Sequence, residues 1–369
     1  MGEPIRVLQV VTHMNRGGLE TMLMNYYRKL DRSKIQFDFM TNRSERGHYD
    51  DEIESLGGKL YRLSPIKPGN YNKYFNELDQ FFKENKEYKV VHSHINENSG
   101  FVLKAAKKAG VPCRIAHSHL SDLKLDYKYP FRVYARRSLK GNVSDYFACS
   151  KRAGEWLFGK KISNSGKIIV LNNAVDTQKF KINEDIRHKM REKLGIEGKK
   201  VIGHVGRFNP QKNHEFLIDI FNEVYKKNKN AVLLLVGDGY LKEKIEDKVK
   251  KLQLEDSVRF LGVREDIPEL MQAMDLFLFP SQFEGLAVVM VEAQAAGLKV
   301  ITSTGVTTES NITNNVNFID LNKGPQYWAD IVINSDFRRK DYTKQIINKG
   351  YDSSNNVKWL SNFYMKKYV

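Results

Sequence analysis

The chain has 369 residues, of which 41% are hydrophobic and 28% are charged. This composition supports a packed core and excludes wholesale disorder, and the length suits two domains better than one. Lys and Arg number 60 against 44 Asp and Glu, so the formal net charge is +16. That charge favours anionic partners: phosphates, nucleic acid or an anionic membrane surface. The two cysteines, Cys113 and Cys149, exclude a disulfide framework, and every apolar run is too short to cross a bilayer.

In the first half, short apolar runs alternate with turns and amphipathic stretches, which is typical of βα units and parallel sheets. The apolar runs predict strands at residues 5–11, 35–40, 59–63, 89–92, 113–117, 146–149 and 168–171. Helical periodicity between them predicts helices that include residues 19–30 and 100–109.

A second series of the same kind begins near Lys200. The predicted strands are 201–205, 231–236, 258–261, 276–279 and 299–302, and the predicted helices are 213–227, 241–252, 267–273 and 286–296. The stretch between the two series, 176–199, is polar and charged and lacks strand character. Two such series predict two Rossmann-like α/β domains with a cleft between them, where ligands lie beyond the carboxyl ends of the strands.

The loop after the strand at 201–205 carries two cations at the start of a helix. Gly206 and Arg207 end the strand, and Lys212 comes just before the helix at 213–227. A guanidinium, an ammonium and a positive helix end together suit a diphosphate. The alternative is that both cations are solvated surface groups.

A second strand end carries two glutamates. The strand at 276–279 is followed by Glu284 and Gly285 in a loop and by Glu292 inside an apolar helix at 286–296. A carboxylate in such a helix needs a partner, for which ribose hydroxyls are suited and a neighbouring Arg or Lys is the alternative. Eight helical residues separate two side chains by about 12 Å, more than the roughly 9.5 Å maximum of inverting glycosidases. We therefore interpret Glu284 and Glu292 as hydrogen-bond acceptors for different parts of one long ligand.

Two pairs of histidines follow two predicted strands of the first half. They are His92, His94, His117 and His119. The His-x-His spacing puts each pair on one face of a strand, which raises the possibility of a zinc site. Cysteines or carboxylates at familiar spacings do not complete such a site, so the sequence predicts no metal.

Gly17 and Gly18 follow the first predicted strand. Glycines at this place let backbone N–H groups approach an anion closely. The alternative is that they only form the βα turn.

A basic segment follows the second histidine pair. Lys128, Arg132, Arg136 and Lys140 recur every four residues, with Arg137 beside them. Tyr127, Phe131 and Tyr134 form a neighbouring aromatic stripe. This pattern suits an interfacial helix on anionic lipid, and the alternative is a solvated helix whose aromatic side chains pack inward.

Together these motifs resemble the retaining family 4 glycosyltransferases of GT-B fold. The spacing of Glu284 and Glu292, with Gly285 after the first, looks like the family signature. Further elements fall in the family's order: Asn15-Arg16-Gly17-Gly18-Leu19-Glu20, Asn173-Ala174-Val175-Asp176 with Phe180, Gly206-Arg207 with Lys212, Val236-Gly237-Asp238-Gly239, Phe260-Leu261-Gly262 with Asp266-Ile267-Pro268, and Pro280-Ser281. Within the family, Val91-His92-Ser93-His94 and Arg114-Ile115-Ala116-His117-Ser118-His119 resemble the branch that builds capsular polysaccharides and exopolysaccharides.

The resemblance implies a domain plan. An N-terminal, acceptor-side domain would span residues 1–176 and a nucleotide-sugar-binding domain 177–352. Their parallel sheets would face an interdomain cleft. The aromatic, amphipathic segment at about 353–369 would pack back on the first domain.

The resemblance also implies roles for single residues. Donor binding would fall to Gly17, Gly18, Arg207, Lys212, Val263, Arg264, Glu284, Gly285, Leu286, Ala287 and Glu292. Within that set, Arg207 and Lys212 would bind the diphosphate, Glu292 the ribose, and Glu284 the sugar. The implied catalytic residues are His117, His119, Glu284, Arg207 and Lys212, without a choice between the two histidines. The acceptor or membrane side would comprise His94, Lys128, Arg132, Arg136, Arg137 and Lys140.

The leading hypothesis is therefore a retaining transferase that moves a hexose or N-acetylhexosamine from a nucleotide diphosphate sugar, with UDP favoured over GDP, to a lipid-linked saccharide. No Asp-x-Asp triplet occurs in the chain, so protein cations and not a metal would balance the diphosphate. The protein would act in the cytoplasm, on the inner face of the plasma membrane. The alternatives are a nucleotide-sugar epimerase of the same fold and a basic nucleic-acid-binding protein, although no RNA-binding motif is visible.

Overall fold

The computed structural model of the chain describes residues 3–67, 69–119 and 129–368. It divides into two compact units, one of Met1–Ala174 with Ser353–Val369 and one of Val175–Asp352. The boundary thus falls two residues before the one expected from the sequence.

The first unit is a seven-stranded parallel sheet with helices. Its strands are β1 (Ile5–Val11), β2 (Ile35–Thr41), β3 (Leu60–Arg62), β4 (Val90–Ser93), β5 (Cys113–Ser118), β6 (Asp145–Ala148) and β7 (Ile168–Val170). Its helices before the boundary are α1 (Gly18–Lys29), α2 (Asp50–Ser55), α3 (Tyr71–Glu84), α4 (Ser99–Lys108), α5 (Tyr129–Arg137), α6 (Lys151–Phe158) and α7 (Lys160–Asn164). The strand order is β3-β2-β1-β4-β5-β6-β7, so β1 and β4 lie at the centre.

The second unit is a six-stranded parallel sheet. Its strands are β8 (Lys200–Val205), β9 (Ala231–Val236), β10 (Val258–Phe260), β11 (Leu276–Phe279), β12 (Lys299–Ser303) and β13 (Val316–Ile319). Its helices are α8 (Thr177–Phe180), α9 (Glu184–Leu194), α10 (His214–Lys227), α11 (Lys242–Lys251), α12 (Ile267–Ala273), α13 (Val288–Ala295), α14 (Gly324–Ile333) and α15 (Thr343–Asn348). The strand order is β10-β9-β8-β11-β12-β13.

The last helix, α16 (Ser353–Tyr368), belongs to the first unit. Side chains of β1 alternate between the two faces of the sheet, as an extended strand requires. Val7 and Val11 join a core cluster with Leu360 and Tyr364 of α16, whereas Leu8 joins the cluster on the opposite face. The helix therefore covers the sheet face that carries the odd-numbered residues of β1.

The predicted fold class, two Rossmann-like α/β domains with parallel sheets, is confirmed. The sequence analysis missed β13 and placed the start of α13 two residues too early. Cys113 and Cys149 are both buried, and neither forms a disulfide bond with a described residue. Within the described parts of the chain, no helix is both long and apolar enough to cross a membrane.

One buried aspartate joins three elements of the second unit. Asp275 precedes β11, and its carboxylate accepts hydrogen bonds from Arg187 at 2.5 Å and Arg191 at 2.7 Å, both on α9. The same carboxylate accepts the backbone N–H of Val201 in β8 at 2.7 Å. A buried ion pair of this kind matters for stability mainly because removal of one partner leaves the other charge buried and uncompensated.

We expect Asp275→Ala to lower the free energy of unfolding by about 3–5 kcal/mol, since it leaves two guanidinium groups in low-dielectric surroundings without their carboxylate. Urea unfolding of the full chain measures the change. The matched control is Asp336→Ala, which breaks an exposed pair with Arg338 and should change stability far less, because water already screens that pair. Equal effects of the two substitutions would contradict the structural role of Asp275.

Candidate active site

The two predicted donor-site segments of the second unit meet at one edge of its sheet. β8 and β11 are neighbouring parallel strands, with Leu276 paired to Ile202. The loops that follow them therefore emerge side by side. Lys212 Nζ lies 2.6 Å from Glu284 Oε1, and both side chains are largely buried at 17% and 11% exposure. The same ammonium lies 4.6 Å from the centre of the Phe279 ring, which closes β11.

The loop that carries Glu284 is held by backbone hydrogen bonds on both sides. Gln282 N–H donates to the carbonyl of Gln211 at 2.8 Å, and Glu284 N–H donates to the carbonyl of Gly305 at 3.2 Å. A Cβ atom at Gly305 would lie 1.9 Å from the Gln282 carbonyl oxygen, so only glycine fits there. The position of Glu284 is thus fixed by the loops after β8 and β12.

Arg207 differs from Lys212 in its surroundings. Its side chain is exposed, and it forms no ion pair or side-chain hydrogen bond with any described residue. Its backbone lies in a loop that packs closely on the glycine-rich turn after β9. Gly237 has φ +134°, and a Cβ there would lie 2.2 Å from the Gly206 carbonyl oxygen. Gly237-Asp238-Gly239 thus forms a tight turn that supports the Arg207 loop.

Glu292 lies in α13 and is 9% exposed. Within the described chain its carboxylate makes no hydrogen bond or ion pair. Burial alone raises its pKa to about 7. The Arg or Lys partner considered as the alternative is therefore not present among the described residues, and the carboxylate retains its full capacity to accept hydrogen bonds.

The relation between the two glutamates differs from the sequence-based estimate. Glu284 lies in a loop, in a bridge with Val306, and α13 begins only at Val288. The helical separation of about 12 Å therefore does not apply to this pair. Gly285, Leu286 and Ala287 connect the loop to the helix, and Ala287, the residue before the helix, provides no side-chain cap.

The segment with Val263 and Arg264, two residues expected to bind the donor, adjoins the same turn. The Gly237 N–H donates to the Gly262 carbonyl at 2.8 Å, which brings the loop after β10 to the loop after β9. Val263 is 48% exposed. Arg264 forms two hydrogen bonds with Asp266, at 2.7 and 2.5 Å, so its guanidinium is already neutralised. Val263 is thus the more available of the two side chains.

Two histidines that the sequence analysis did not single out lie beneath the Lys212 loop. His204 is on β8 and His214 opens α10, with ring centres 4.7 Å apart. Burial lowers the pKa of His204 to about 4 and of His214 to about 2, so both are neutral. Their signal in the sequence is weak, because one histidine in a buried strand and one at a helix start have no characteristic spacing.

The four histidines of the first unit form one cluster. β4 and β5 are adjacent, with His92 paired to Ile115. His92 Nε2 lies 3.1 Å from His117 Nδ1, and His94 Nδ1 lies 2.9 Å from His119 Nε2. Burial lowers the pKa of all four, to about 3 for His119.

Nitrogen atoms of His92, His94 and His117 lie within 4.8 Å of one another, a spacing that could hold a metal ion. The imidazoles are, however, hydrogen-bonded to each other and to two residues that the sequence analysis missed. Tyr364 of α16 lies 2.6 Å from His92 Nδ1, and Gln9 of β1 lies 2.9 Å from His94 Nε2. These contacts favour a hydrogen-bonded cluster of neutral imidazoles.

The glycine turn after β1 carries a neighbouring negative charge. A Cβ at Gly17 would lie 2.4 Å from Glu20 Oε2, so this carboxylate occupies the space above Gly17. Gly18 is the first residue of α1. A phosphate at Gly17 is disfavoured while Glu20 holds this position.

The basic segment is only partly a helical face. α5 ends at Arg137, so Lys140 lies beyond it, whereas Lys128 and Tyr127 lie outside the described residues. The prediction of one helical face through Lys140 is therefore wrong, because α5 ends before a turn that includes Gly141 at φ +75°.

The aromatic stripe is divided as well. Phe131 stacks on Tyr71 with ring centres 5.2 Å apart, in accord with the inward-packing alternative, but Tyr134 is 63% exposed. Arg132 lies 3.9 Å from Glu97, and Arg137 is exposed.

A cavity of about 460 Å³ adjoins the basic helix. Its lining consists of Arg136, Arg152, Glu155, Trp156, Gly159 and Lys160. Arg136 donates to the Leu157 carbonyl at 3.0 Å, which fixes its stem. The cavity combines three cations and one carboxylate with an aromatic ring.

We expect Glu292→Gln to stabilise the protein at high pH. Folding raises the pKa of this carboxyl from 4.5 to about 7, so the folded wild type loses stability as pH rises across that interval. The shift corresponds to about 3 kcal/mol. Urea unfolding near pH 8 should show the variant as more stable, with the difference vanishing near pH 4.5.

The control for this experiment is Glu243→Gln on the exposed face of α11, which makes the same substitution at a side chain that is not buried. A Glu292→Gln variant that is less stable than the wild type at high pH would show that the carboxylate has a stabilising partner.

Comparison with known proteins places this geometry in a family. Residues 16–179 match the family model described as Glycosyltransferase Family 4, and residues 186–331 match Glycosyl transferases group 1. EpsF of Bacillus subtilis (strain 168), which is named as a glycosyltransferase, is 37% identical over 368 residues, covering 97% of this chain and 96% of that protein. The capsular polysaccharide biosynthesis glycosyltransferase CapH of Staphylococcus aureus is 26% identical, covering 98% of this chain and 99% of CapH.

Solved structures agree on the fold. HepE of Anabaena, in complex with UDP and glucose, superposes with a TM-score of 0.78 at 21% identity, covering 98% of this chain and 99% of HepE. The comparisons do not favour the epimerase or nucleic-acid alternatives. The resemblance drawn from the motifs, to capsule and exopolysaccharide glycosyltransferases, is thereby confirmed. The chain belongs to the family 4 glycosyltransferases of GT-B fold.

Proposed function

We propose that this glycosyltransferase moves a hexose or N-acetylhexosamine from a UDP-sugar to a lipid-linked saccharide during surface polysaccharide synthesis, with retention of configuration and without a metal. The observation that carries the proposal is the grouping at the carboxyl edge of the second sheet. There a largely buried Lys212–Glu284 pair lies beside the turn that carries Arg207, whose side chain has no partner among the described residues.

Arg207 and Lys212 would bind the diphosphate. A guanidinium without a protein partner can form two parallel hydrogen bonds with phosphate oxygens. The Lys212 ammonium is compact and held between Glu284 and the Phe279 ring. As the bond to the sugar breaks, negative charge grows on the leaving diphosphate, and these fixed cations stabilise it without having to reorganise.

Glu292 would bind the ribose. Its carboxylate is buried and unpaired among the described residues, and the vicinal hydroxyls of ribose supply two donors in the geometry that one carboxylate accepts. Binding would compensate the desolvation of the ionised group. The pKa of Glu292, raised to about 7, should then fall when a nucleotide binds.

Glu284 and the backbone from Gly285 to Ala287 would hold the donor sugar. A carboxylate fixed by Lys212 accepts hydrogen bonds from sugar hydroxyls with little loss of side-chain entropy. The backbone N–H groups that open α13 follow this loop directly, and the residue before the helix provides no side-chain cap for them. The described part of the chain shows no evident nucleophile here, which favours an oxocarbenium-like transition state with attack on the face of the leaving group.

Relatives support the choice of donor and acceptor. The Escherichia coli UDP-Gal:alpha-D-GlcNAc-diphosphoundecaprenol alpha-1,3-galactosyltransferase is 29% identical over 286 residues, covering 73% of this chain and 72% of that enzyme. Its name states a UDP-sugar donor and a lipid-diphosphate acceptor. The HepE structure contains UDP, and CapH is named for capsular polysaccharide. Transfer of these properties to this chain is an inference from similarity.

The acceptor would be reached from an anionic membrane surface, on its cytoplasmic side. Exposed Tyr134 and Arg137 lie on α5, the helix that also contributes Arg136 to the cavity, and exposed Lys140 follows that helix. Aromatic rings suit the headgroup region and the cations suit anionic lipid. Two buried cysteines without a disulfide bond to a described residue accord with a reducing compartment.

We expect UDP to bind in the presence of EDTA and Arg207→Ala to weaken binding about 10- to 100-fold, the effect of one charged hydrogen-bonding partner. Isothermal titration calorimetry with UDP and GDP measures both quantities. Arg338→Ala is the control, since it removes the same charge from a side chain that is 85% exposed.

Tight binding of GDP instead of UDP would show that the donor nucleotide carries guanine and not uracil. If neither nucleotide binds until a divalent ion is added, the metal-independent mechanism is wrong. A donor panel with analysis of the anomeric product then tests retention.

We also expect the protein to sediment with phosphatidylglycerol vesicles but not with phosphatidylcholine vesicles. Each basic residue near such a surface contributes about 1 kcal/mol, so Arg137→Glu with Lys140→Glu should weaken binding at least tenfold. Lys250→Glu with Lys251→Glu on α11 changes the charge equally and is the control. If both double variants weaken sedimentation equally, net charge and not this surface is responsible.

A further inference from the structure

Six side chains of the first unit, five of them buried and His119 partly buried, form one continuous chain of hydrogen bonds. His117 contacts His92 at 3.1 Å, and His92 contacts the Tyr364 hydroxyl at 2.6 Å. That hydroxyl lies 3.3 Å from Gln9 Nε2. On the other side, Gln9 Oε1 lies 2.9 Å from His94, which lies 2.9 Å from His119. The chain thus runs from His117 through Gln9 to His119.

The sheet register explains this meeting. Gln9 pairs with His92 across β1 and β4, and His92 pairs with Ile115 across β4 and β5. Gln9, both histidine pairs and the apolar residues Val7 and Ile115 share one face. α16 covers that face and adds Tyr364, so five of the six side chains are buried from solvent.

Burial fixes how many protons the six hydrogen-bonded side chains hold. It lowers the pKa of each histidine, which keeps the imidazoles neutral, with one N–H and one lone pair per ring. It raises the pKa of Tyr364, which keeps its hydroxyl proton. Each internal contact therefore has one donor and one acceptor.

The orientation of the Gln9 amide sets the donor-to-acceptor direction of all these hydrogen bonds. If its NH₂ donates to Tyr364, the hydroxyl donates to His92 Nδ1, and His92 Nε2–H donates to His117. On the opposite arm, His94 Nε2–H donates to the Gln9 oxygen and accepts from His119 Nε2–H. All four imidazoles then carry the proton on Nε2. If the amide is turned over, every bond reverses and all four carry it on Nδ1.

The two ends of the chain have opposite roles in both arrangements. In the first, His117 presents an Nε2–H donor and His119 an Nδ1 lone pair, and in the second the roles are exchanged. Both end atoms, His117 Nε2 and His119 Nδ1, are buried and have no partner among the described residues. Their rings lie 4.1 Å apart. The Asn173 side chain lies close enough to His119 to raise its pKa, although neither Asn173 Oδ1 nor His119 Nδ1 makes a hydrogen bond of normal geometry within the described residues.

We propose that Gln9 and Tyr364 are positioning residues that force the four histidines into one common tautomer, so that His117 and His119 offer one donor and one acceptor to a single sugar hydroxyl. A hydroxyl group is the ligand that both donates and accepts at one oxygen. The contact with a sugar rests on the proposed transferase function, whereas the common tautomer does not.

The test is the ¹⁵N spectrum of the full chain labelled in its histidine rings, with Tyr364→Phe as the variant. In the wild type we expect His92, His94, His117 and His119 to share one neutral tautomer. Tyr364→Phe removes only the hydroxyl, so His92 and His117 should become mixtures while His94 and His119 keep their state. Tyr26→Phe is the matched control, because Tyr26 is buried in the same core but donates to the Asn172 carbonyl.

The same variants are assayed for UDP release from UDP-glucose and UDP-galactose. Tyr364→Phe should lower kcat roughly tenfold, the effect of one hydrogen bond, with KM little changed, and Tyr26→Phe should have less effect. Different tautomers within the wild-type set, or a Tyr364→Phe spectrum identical to the wild type, would overturn the proposal. Common tautomers without release of UDP from either donor would instead count against the transferase function.

Discussion

The candidate site depends on one topological constraint: in a parallel sheet, the carboxyl ends of all strands lie at the same edge. β8 and β11 are neighbours in the second sheet although their loops are far apart in sequence, and the Lys212–Glu284 pair spans 72 residues. The same constraint gathers Gln9, His92 and His117 at one edge of the first sheet. The polar residues are thereby concentrated where the backbone turns, and the apolar core beneath them stays intact.

Buried ionisable groups are accommodated in three different ways. Asp275 and Glu284 have cationic partners, which compensate the loss of hydration. The histidines of both units avoid the cost by remaining neutral. Glu292 has neither solution, and its raised pKa records an uncompensated charge. Within the described residues no partner offsets that cost, and a perturbed carboxylate of this kind is a candidate ligand-binding group.

Most strands were predictable because their apolar runs are continuous and bounded by turns, and the ends of β9 and β11 agree with the sequence prediction. β13 was missed because its two middle residues are only partly buried and its pattern is weak. The pairing of Lys212 with Glu284 could not be predicted, since it depends on the order of strands. Lys140 was wrongly placed on a helix because a basic residue at every fourth position continues from α5 into the following turn, where the composition does not change.

Tyr364 shows why part of a site can be invisible to motif analysis. It lies in the last helix, 272 residues from His92 and 355 from Gln9. The pattern of this aromatic segment indicates only a helix that packs on the core. A buried tyrosine nevertheless needs a partner for its hydroxyl, and in a dry cluster each donor must meet an acceptor. That balance leaves the six side chains only two proton arrangements. The states of His117 and His119 are therefore coupled through the core, and residues that touch no ligand decide what the site offers to one.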